Sequence, residues 1–501
     1  MSVRGVFESA GLTPRPGQLE VAERLSELLS SGCNAALVAP TGWGKTLAVL
    51  AALKACNLLP ALWLVRSLTL GGRVGDDAAL LGLTAFTAAG RARACPLYGD
   101  MGEDVYDYCR HYKYRCRFFM RLDVKRLPRA AASYEDLPSD TCRYYAQELY
   151  LRDADVIVQS YFRRRATAKV TVIDEFHNLL QPVERRVRIG RLAEAVAELQ
   201  RSGFSGEAEG LEKLLNYVVN TASETLDPQL FLDLEGLWAA YCELLKEGRR
   251  TRVGSVVRVL SSDAVYVEPP YLVGARAVRL RLRRPTALLT ATAPFDPTLI
   301  PGVDACIRVP SGRRLRALLL TWLTTRYGEE TWSEYERLLL FLRGYRTLAF
   351  ASYRVLQRLR HRAQLTEDEL VVAPREWSGV LLLKARGRFA EGVDMPADIV
   401  AMLGAPFLTP DVIQKLAKAY SRMGVENSLK LAMDAPMLIT TLQCVGRAAR
   451  SPEARPLVIL ADERYRRYLE ELGEYFEIEE VDGVERLKAI LAELKPASTR
   501  T

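Results

Sequence analysis

The sequence predicts an α/β protein with two parallel-sheet domains in tandem. Two observations predict it. Short apolar runs alternate with longer segments of helical period, and these runs fall into two sets that divide near residue 310. Runs of this length between helices read as strands covered on both faces, which is the habit of parallel sheets. The first set covers 34–39, 61–65, 156–158, 170–173 and 287–289. The second covers 347–350, 370–372, 379–383, 399–403 and 456–460.

The first set is interrupted twice. Residues 85–146 are rich in Tyr, Arg and Cys and show no strand run. Residues 182–262 read as mainly helical, with helix-period apolar positions over 189–199, 210–219 and 230–245. The expected organisation is therefore a first domain in three pieces (1–84, 147–181 and 263–310), two insertions (85–146 and 182–262) and a second domain at 311–501.

The composition is that of a globular chain. Of 501 residues, 49% are hydrophobic and 26% charged, enough for three or four cores. The net charge of +8 is compatible with a polyanionic partner, although spread over this length it also suits a plain solvated surface. No apolar leader precedes Arg15. The most apolar window, 47–65, contains Lys54, Asn57 and Pro60, and reads as a helix, a break and a buried strand rather than a membrane span. A cytoplasmic protein with no membrane partner is expected, so its nine cysteines should be thiols or metal ligands, not disulfides. Scarce Asn and Gln beside plentiful Arg and Glu point to a prokaryotic, thermophilic source.

The run Ala39-Pro40-Thr41-Gly42-Trp43-Gly44-Lys45-Thr46 follows the first apolar strand and opens a helical segment. That is the setting of a phosphate loop. Gly42 and Gly44 let the backbone turn its N–H groups inward, and Thr41 belongs to the same cradle. Lys45 can neutralise β- and γ-phosphates, Thr46 can ligate magnesium, and the helix N-terminus adds partial positive charge. Ala39 replaces the first glycine of the usual pattern.

Asp174-Glu175-Phe176-His177 ends the run 170–173. An Asp there can hold the water shell of a magnesium ion, and the adjacent Glu can orient and deprotonate an attacking water. Together the two segments make an NTP-hydrolysing site. Far downstream, Gln443, Arg447 and Arg450 are spaced for one helix face, and a guanidinium beside a γ-phosphate would stabilise transition-state charge.

Between the two halves of the site lie Cys95, Cys109, Cys116 and Cys142. Four thiolates suit an iron–sulfur cluster or zinc, and unliganded thiols are the third reading. The lack of close C-x₂₋₄-C pairs favours a cluster over zinc. Cys33, Cys56, Cys242, Cys306 and Cys444 are scattered in apolar or helical settings and read as packing residues. Tyr106, Tyr108, Tyr112, Tyr114, Phe118 and Phe119 interleave with Arg110, His111, Lys113, Arg115 and Arg117. This pattern suits single-stranded nucleic acid, with rings on bases and cations on phosphates. It suits packing around a cluster equally, in an insertion with little core of its own.

These motifs resemble those of superfamily 2 helicases. The acid box looks like D-E-A-H with Phe176 for Ala. Arg15-Pro16-Gly17-Gln18 resembles the adenine-reading segment, with Gln18 as its amide. Leu64-Val65-Arg66-Ser67 resembles the first strand-contacting motif. Leu289-Thr290-Ala291-Thr292 resembles the S-A-T coupling motif. Gly387-Arg388-Phe389-Ala390-Glu391-Gly392-Val393-Asp394 resembles a late motif that places Arg388 on nucleic acid and Asp394 on nucleotide. Gln443-Cys444-Val445-Gly446-Arg447-Ala448-Ala449-Arg450 resembles Q-x-x-G-R-x-x-R.

Gly90-Arg91-Ala92-Arg93-Ala94-Cys95, Cys142-Arg143-Tyr144-Tyr145-Ala146, Thr324-Thr325-Arg326-Tyr327 and Ser352-Tyr353-Arg354-Val355-Leu356 are similar to segments of the XPD family of iron–sulfur helicases. That resemblance implies an α/β fold of two RecA-like parallel-sheet motor domains, with an iron–sulfur domain and a short helical arch inserted in the first. It implies ATP, Mg²⁺ and a 4Fe–4S cluster on the four cysteines. It also implies 5′→3′ movement on single-stranded DNA, unwinding of forked DNA, and partners in a repair complex. Arg66, Tyr112, Lys113 and Arg388 would face the nucleic acid. A translocase without strand separation and a non-catalytic nucleic-acid scaffold are the competing expectations.

Overall fold

The structure is a computed structural model that describes residues 1–40, 42–66, 68–221, 225–278, 282–310, 314–374, 376–387, 389, 395–449 and 454–494. Within the described residues the strands run in chain order as follows. The first five are β1 (Ala35–Val38), β2 (Ala61–Val65), β3 (Ala85–Ala88), β4 (Val156–Ser160) and β5 (Val170–Asp174). Then come β6 (Val183–Arg188), β7 (Thr225–Leu226), β8 (Ala264–Glu268), β9 (Tyr271–Arg276), β10 (Thr286–Thr290) and β11 (Ala305–Arg308). The last seven are β12 (Leu315–Leu320), β13 (Thr347–Ala351), β14 (Leu365–Thr366), β15 (Val380–Lys384), β16 (Ile399–Leu403), β17 (Leu457–Ala461) and β18 (Phe476–Val481).

Two seven-stranded parallel sheets result, in the orders β11-β1-β10-β5-β2-β4-β3 and β14-β15-β13-β16-β17-β12-β18. The expectation of two RecA-like parallel-sheet domains is met. The chain divides into two compact units. One comprises Met1–Ala291, Asp296–Val309 and Asp411–Ser428, and the other Thr292–Phe295, Pro310–Pro410 and Leu429–Thr501.

The central strands form because their residues have no polar face to offer. Every residue of β1, β2, β13, β16 and β17 is buried, including Trp63 and Phe350. Helices cover both sheet faces. Gln18–Ser30 and Lys45–Ala55 pack on the first sheet through Ala22, Leu25, Leu29 and the apolar run Ala48–Leu53. The second sheet takes Trp332–Leu342 on one side, through Tyr335, Leu338 and Leu339. Its other side receives Ser428–Val445, through Met437 and Leu438.

The register decides what meets at the strand ends. Val38 of β1 stands opposite Thr290 of β10, and Leu289 of β10 opposite Asp174 of β5. The phosphate loop, the Thr290 segment and the acid box therefore leave three adjacent strands at the same edge. In open parallel sheets that carboxyl edge is where ligands bind.

Several sequence expectations need correcting. Residues 85–146 do contain a strand, since β3 forms the edge of the first sheet. Residues 370–372 form none: Val371 and Val372 are 88% and 72% exposed. The strands missed in the second sheet are β12, β14 and β18. The last, Phe-Glu-Ile-Glu-Glu-Val, is an edge strand whose charges hide it from a search for apolar runs.

The segment expected to be helical does hold Gly190–Arg201, Ser205–Val219, Leu234–Leu244 and Val253–Leu260. It also contributes β6 and β7 to a four-stranded antiparallel sheet, β6-β9-β8-β7. The hairpin β8–β9 therefore joins this sheet and not the parallel one, as 263–310 had implied. Likewise 411–428 leaves the expected 311–501 domain. There Lys415 Nζ donates to Leu226 O at 3.1 Å, and Tyr420 is buried.

The cysteine-bearing insertion also has more core than expected. Met101, Val105 and Tyr108 pack into one cluster with Leu192, Leu211, Leu237, Tyr241 and Val257 of the helical insertion. Between them lies a buried polar knot. Arg258 bonds Asp104 at 2.6 Å and Asp107 at 3.0 Å, and the Tyr241 hydroxyl donates to Asp107 at 3.0 Å.

Candidate active site

The phosphate loop is built by its glycines and one glutamine. Gly42 and Gly44 take φ of 81° and 93°, backbone that disfavours any side chain. At Gly44 a Cβ would also run into the Gln18 amide. Gln18 is buried. Its Nε2 donates to Trp43 O at 3.0 Å and Gly44 O at 3.2 Å, and its Oε1 accepts from Arg15 N at 2.7 Å. Arg15 in turn bonds Gly42 O. Gln18, expected as an adenine reader, thus has its amide engaged in shaping the loop.

Lys45 and Thr46 open the helix Lys45–Ala55. Lys45 Nζ folds back on Ala39 O at 2.8 Å and Pro40 O at 3.2 Å. Burial holds its pKa below the usual lysine value, partly offset by Glu175 and Asp174.

Asp174 ends β5. Burial, reinforced by the neighbouring Glu175 charge, pushes its carboxyl up to about 6, while Lys45 pulls it down. Glu175 sits at φ 52°, a left-handed conformation uncommon for a residue with a side chain and typical of strained functional sites. His177 is buried. Its Nδ1 lies 2.6 Å from Thr290 Oγ1 and 3.2 Å from Glu175 Oε2. The acid box and the Thr290 segment are therefore joined by a direct contact.

The motif residues of the other unit are placed separately. Gln443 lies in the helix Ser428–Val445, and Arg447 follows its end with Nε on Gln443 O at 3.2 Å. Thr41, Arg388, Asp394 and Arg450 lie outside the described residues. Of the residues expected on nucleic acid, Arg66 is exposed and donates to Asn178 Oδ1 at 2.6 Å. Tyr112 is half-buried against the core shared by the two insertions, and its hydroxyl donates to Cys242 O at 3.0 Å. Lys113 lies over the Tyr114 ring at 4.8 Å and also faces Phe119 and Tyr145.

Cys95, Cys109, Cys116 and Cys142 all line one small cavity, with Arg91, Lys113, Tyr144 and Tyr145 among its other walls. All four are free thiols. Among the described residues no three His, Cys, Asp or Glu side chains close on a single metal ion. Burial, with the neighbouring thiols adding to it, raises Cys95 to about 12 and Cys142 to about 11. Thiolates at these positions call for compensating positive charge, which a metal group ligated by all four would supply. The donor set fits such a group.

Sequence reasoning missed Tyr161. It follows β4, and its hydroxyl donates to the main-chain oxygens of Asp174 and of Glu175, the latter at 3.2 Å. A lone tyrosine carries no pattern. Only its position, one residue past a strand beside the acid box, could have singled it out.

Residues 343–477 match the family described as the helicase C-terminal domain. No curated protein matches the chain by sequence. Among solved structures, one titled as an XPD helicase superposes with a TM-score of 0.67 at 20% identity, covering 94% of this chain and all of that one. Xpd4 from S. tokodaii gives 0.58 at 17% identity, covering 93% and 100%. A structure titled as apo XPD gives 0.61 at 18%, again covering 93% and 100%. The chain has the fold of an XPD-like helicase. The likeness spans both units, and the C-terminal family match falls within the part that contains Gln443 and Arg447. No helix among the described residues is long and apolar enough to cross a membrane.

Proposed function

We propose that this protein is an ATP-dependent DNA helicase that moves 5′→3′ on single-stranded DNA, opens forked duplex and acts in DNA repair. The observation that carries the reading is the meeting of Lys45, Asp174, Glu175, His177 and Thr290 at the carboxyl edge of one parallel sheet. The glycine loop and Lys45 would bind the β- and γ-phosphates, with Thr41 in the loop. Thr46 and Asp174 would hold Mg²⁺, which neutralises phosphate charge when bound. Glu175 would orient and deprotonate water, and His177 would report the state of the acid box to Thr290. Gln443, Arg447, Arg450 and Asp394 are assigned to the nucleotide, and Arg388 to DNA, by resemblance.

The cysteine cavity supports a 4Fe–4S cluster on Cys95, Cys109, Cys116 and Cys142. Direction, repair and DNA over RNA rest on the resemblance to XPD helicases. The test is ATP turnover by anaerobically purified protein with and without single-stranded DNA, beside strand release from 5′- and 3′-tailed duplexes. Release from the 5′-tailed duplex is expected. Hydrolysis without release from either would make the protein a translocase, and no hydrolysis a scaffold.

Iron and acid-labile sulfide should accompany the wild type and be lost in Cys116→Ser. Zinc without iron would refute the cluster. Because the insertion shares its core with the helical one, Cys116→Ser should keep its folded circular-dichroism signal while unwinding falls further than ATPase. Arg447→Ala should lower turnover more than ATP affinity, since its contact strengthens as charge develops.

A further inference from the structure

The three residues after β4 point in three directions. Tyr161 turns inward, and its hydroxyl bonds the carbonyls of Asp174 and Glu175. Arg163 is also buried. It bonds Gln159 Oε1 at 2.9 Å and pairs with Glu148, and its guanidinium lies 5.6 Å from the ring of Tyr144 in the cysteine-cavity wall. Phe162, between them, is 71% exposed. Two anchored neighbours hold an aromatic ring out in water at the carboxyl edge of the first sheet.

The surroundings indicate what would cover that ring. Val65 pairs with Ser160, so exposed Arg66 and the segment beginning at Tyr161 leave adjacent strands side by side. Arg164 is exposed as well. Arg66 bonds Asn178 Oδ1, and Asn178 Nδ2 donates to Glu175 O at 2.9 Å. The Glu175 carbonyl therefore takes hydrogen bonds from both Tyr161 and Asn178, each adjoining an exposed residue. An open ring with exposed arginines on its own and the adjacent strand end matches the chemistry of an unpaired nucleotide, with a base on the ring and phosphates on the cations.

We infer that Phe162 is a base-stacking site for single-stranded nucleic acid, and that Tyr161 is a positioning residue linking occupation of that site to the placement of Glu175. The inference rests on the proposed helicase reading and deepens it. A base on Phe162 would fix the 160–163 turn. The Tyr161 hydroxyl would then steady Glu175 in its left-handed conformation, so that water activation is faster when a strand is present. Arg163 anchors the same turn to the cysteine-bearing insertion.

The test uses the full chain, a fluorescent poly-dT oligonucleotide, and ATPase titrated with that oligonucleotide. Phe162→Ala should weaken binding by about tenfold and raise the half-maximal stimulating concentration equally, and Phe162→Trp should restore both. Tyr161→Phe should lower maximal stimulation severalfold while the half-maximal concentration stays put. Wild-type affinity in Phe162→Ala, or a Phe162→Trp variant as weak as the alanine, would overturn the stacking site. Unchanged maximal stimulation in Tyr161→Phe would overturn the link. If the wild type itself neither binds the oligonucleotide nor responds to it, the helicase reading fails instead.

Discussion

Asp174 and Asp462 both stand where a parallel strand ends, one in each unit, yet their partners leave them in opposite states. Each stands at the carboxyl end of a parallel strand, and each is withdrawn from solvent, Asp462 completely and Asp174 largely. Burial alone would raise both. Asp462 is nevertheless held below its ordinary pKa, because hydrogen bonds and charge from Arg464 outweigh desolvation. It accepts from Arg464 Nε at 2.8 Å and Nη2 at 2.6 Å, Thr325 Oγ1 at 2.8 Å, and the main-chain N–H groups of Thr325 and Ala405. Asp174 accepts from the Glu175 N–H at 3.0 Å and has an acidic neighbour, so its pKa rises to about 6. A carboxylate that the fold satisfies is a structural part. One that the fold leaves short of positive charge is suited to a ligand that brings it.

The sharpest way to break this contrast is to remove the charge that serves the phosphates. Lys45→Ala should reduce ATP turnover by about a thousandfold or more, with single-strand affinity largely kept. Near-normal stimulated turnover would mean that this loop does not hold the nucleotide.

Asp462→Asn comes next. It strands the largely buried Arg464 charge, and should cost about 3 kcal/mol in urea unfolding at pH 7. The folded pKa is lowered, so the stabilisation is present above the unfolded value near 3.8 and fades as pH falls through the folded one. The gap between wild type and variant should therefore narrow in acid. A gap that widened in acid would contradict the assignment.

Tyr241→Phe probes another satisfied cluster, Asp104 and Asp107, which share Arg258 and the Tyr241 hydroxyl. Loss of that hydroxyl should destabilise by about 1–2 kcal/mol, visible as faster hydrogen exchange in both insertions. Exchange confined to one insertion would show that the knot does not join them.

Asp174→Asn should have the smallest stability effect and the opposite sign. The folded pKa is raised, so ionisation penalises the fold. That penalty is absent below pH about 4 and complete above about 6. Removing it should stabilise the nucleotide-free protein at pH 7 by roughly 1 kcal/mol, reduced because Lys45 loses a counter-charge. Hydrolysis should be lost in the same variant. A destabilised Asn variant would make Asp174 a structural residue like Asp462.

The central strands were legible in the chain because a strand buried on both faces needs a contiguous apolar run, and β1, β2, β5, β13, β16 and β17 have one. The glycine loop and acid box were legible because their chemistry is packed into consecutive residues. Edge strands were not: β18 alternates charge with apolar residues, and β14 has only two residues. The sequence by itself thus determined the fold class, the phosphate loop, the acids and the four cysteines. Tertiary structure alone decided that Thr290 meets His177, that four scattered cysteines line one cavity, that Gln18 braces the loop and that Tyr161 reaches Glu175. It also decided that the Tyr112 hydroxyl meets Cys242 O. Each of these depends on strand register or on packing between residues distant in the chain, and no local pattern encodes either.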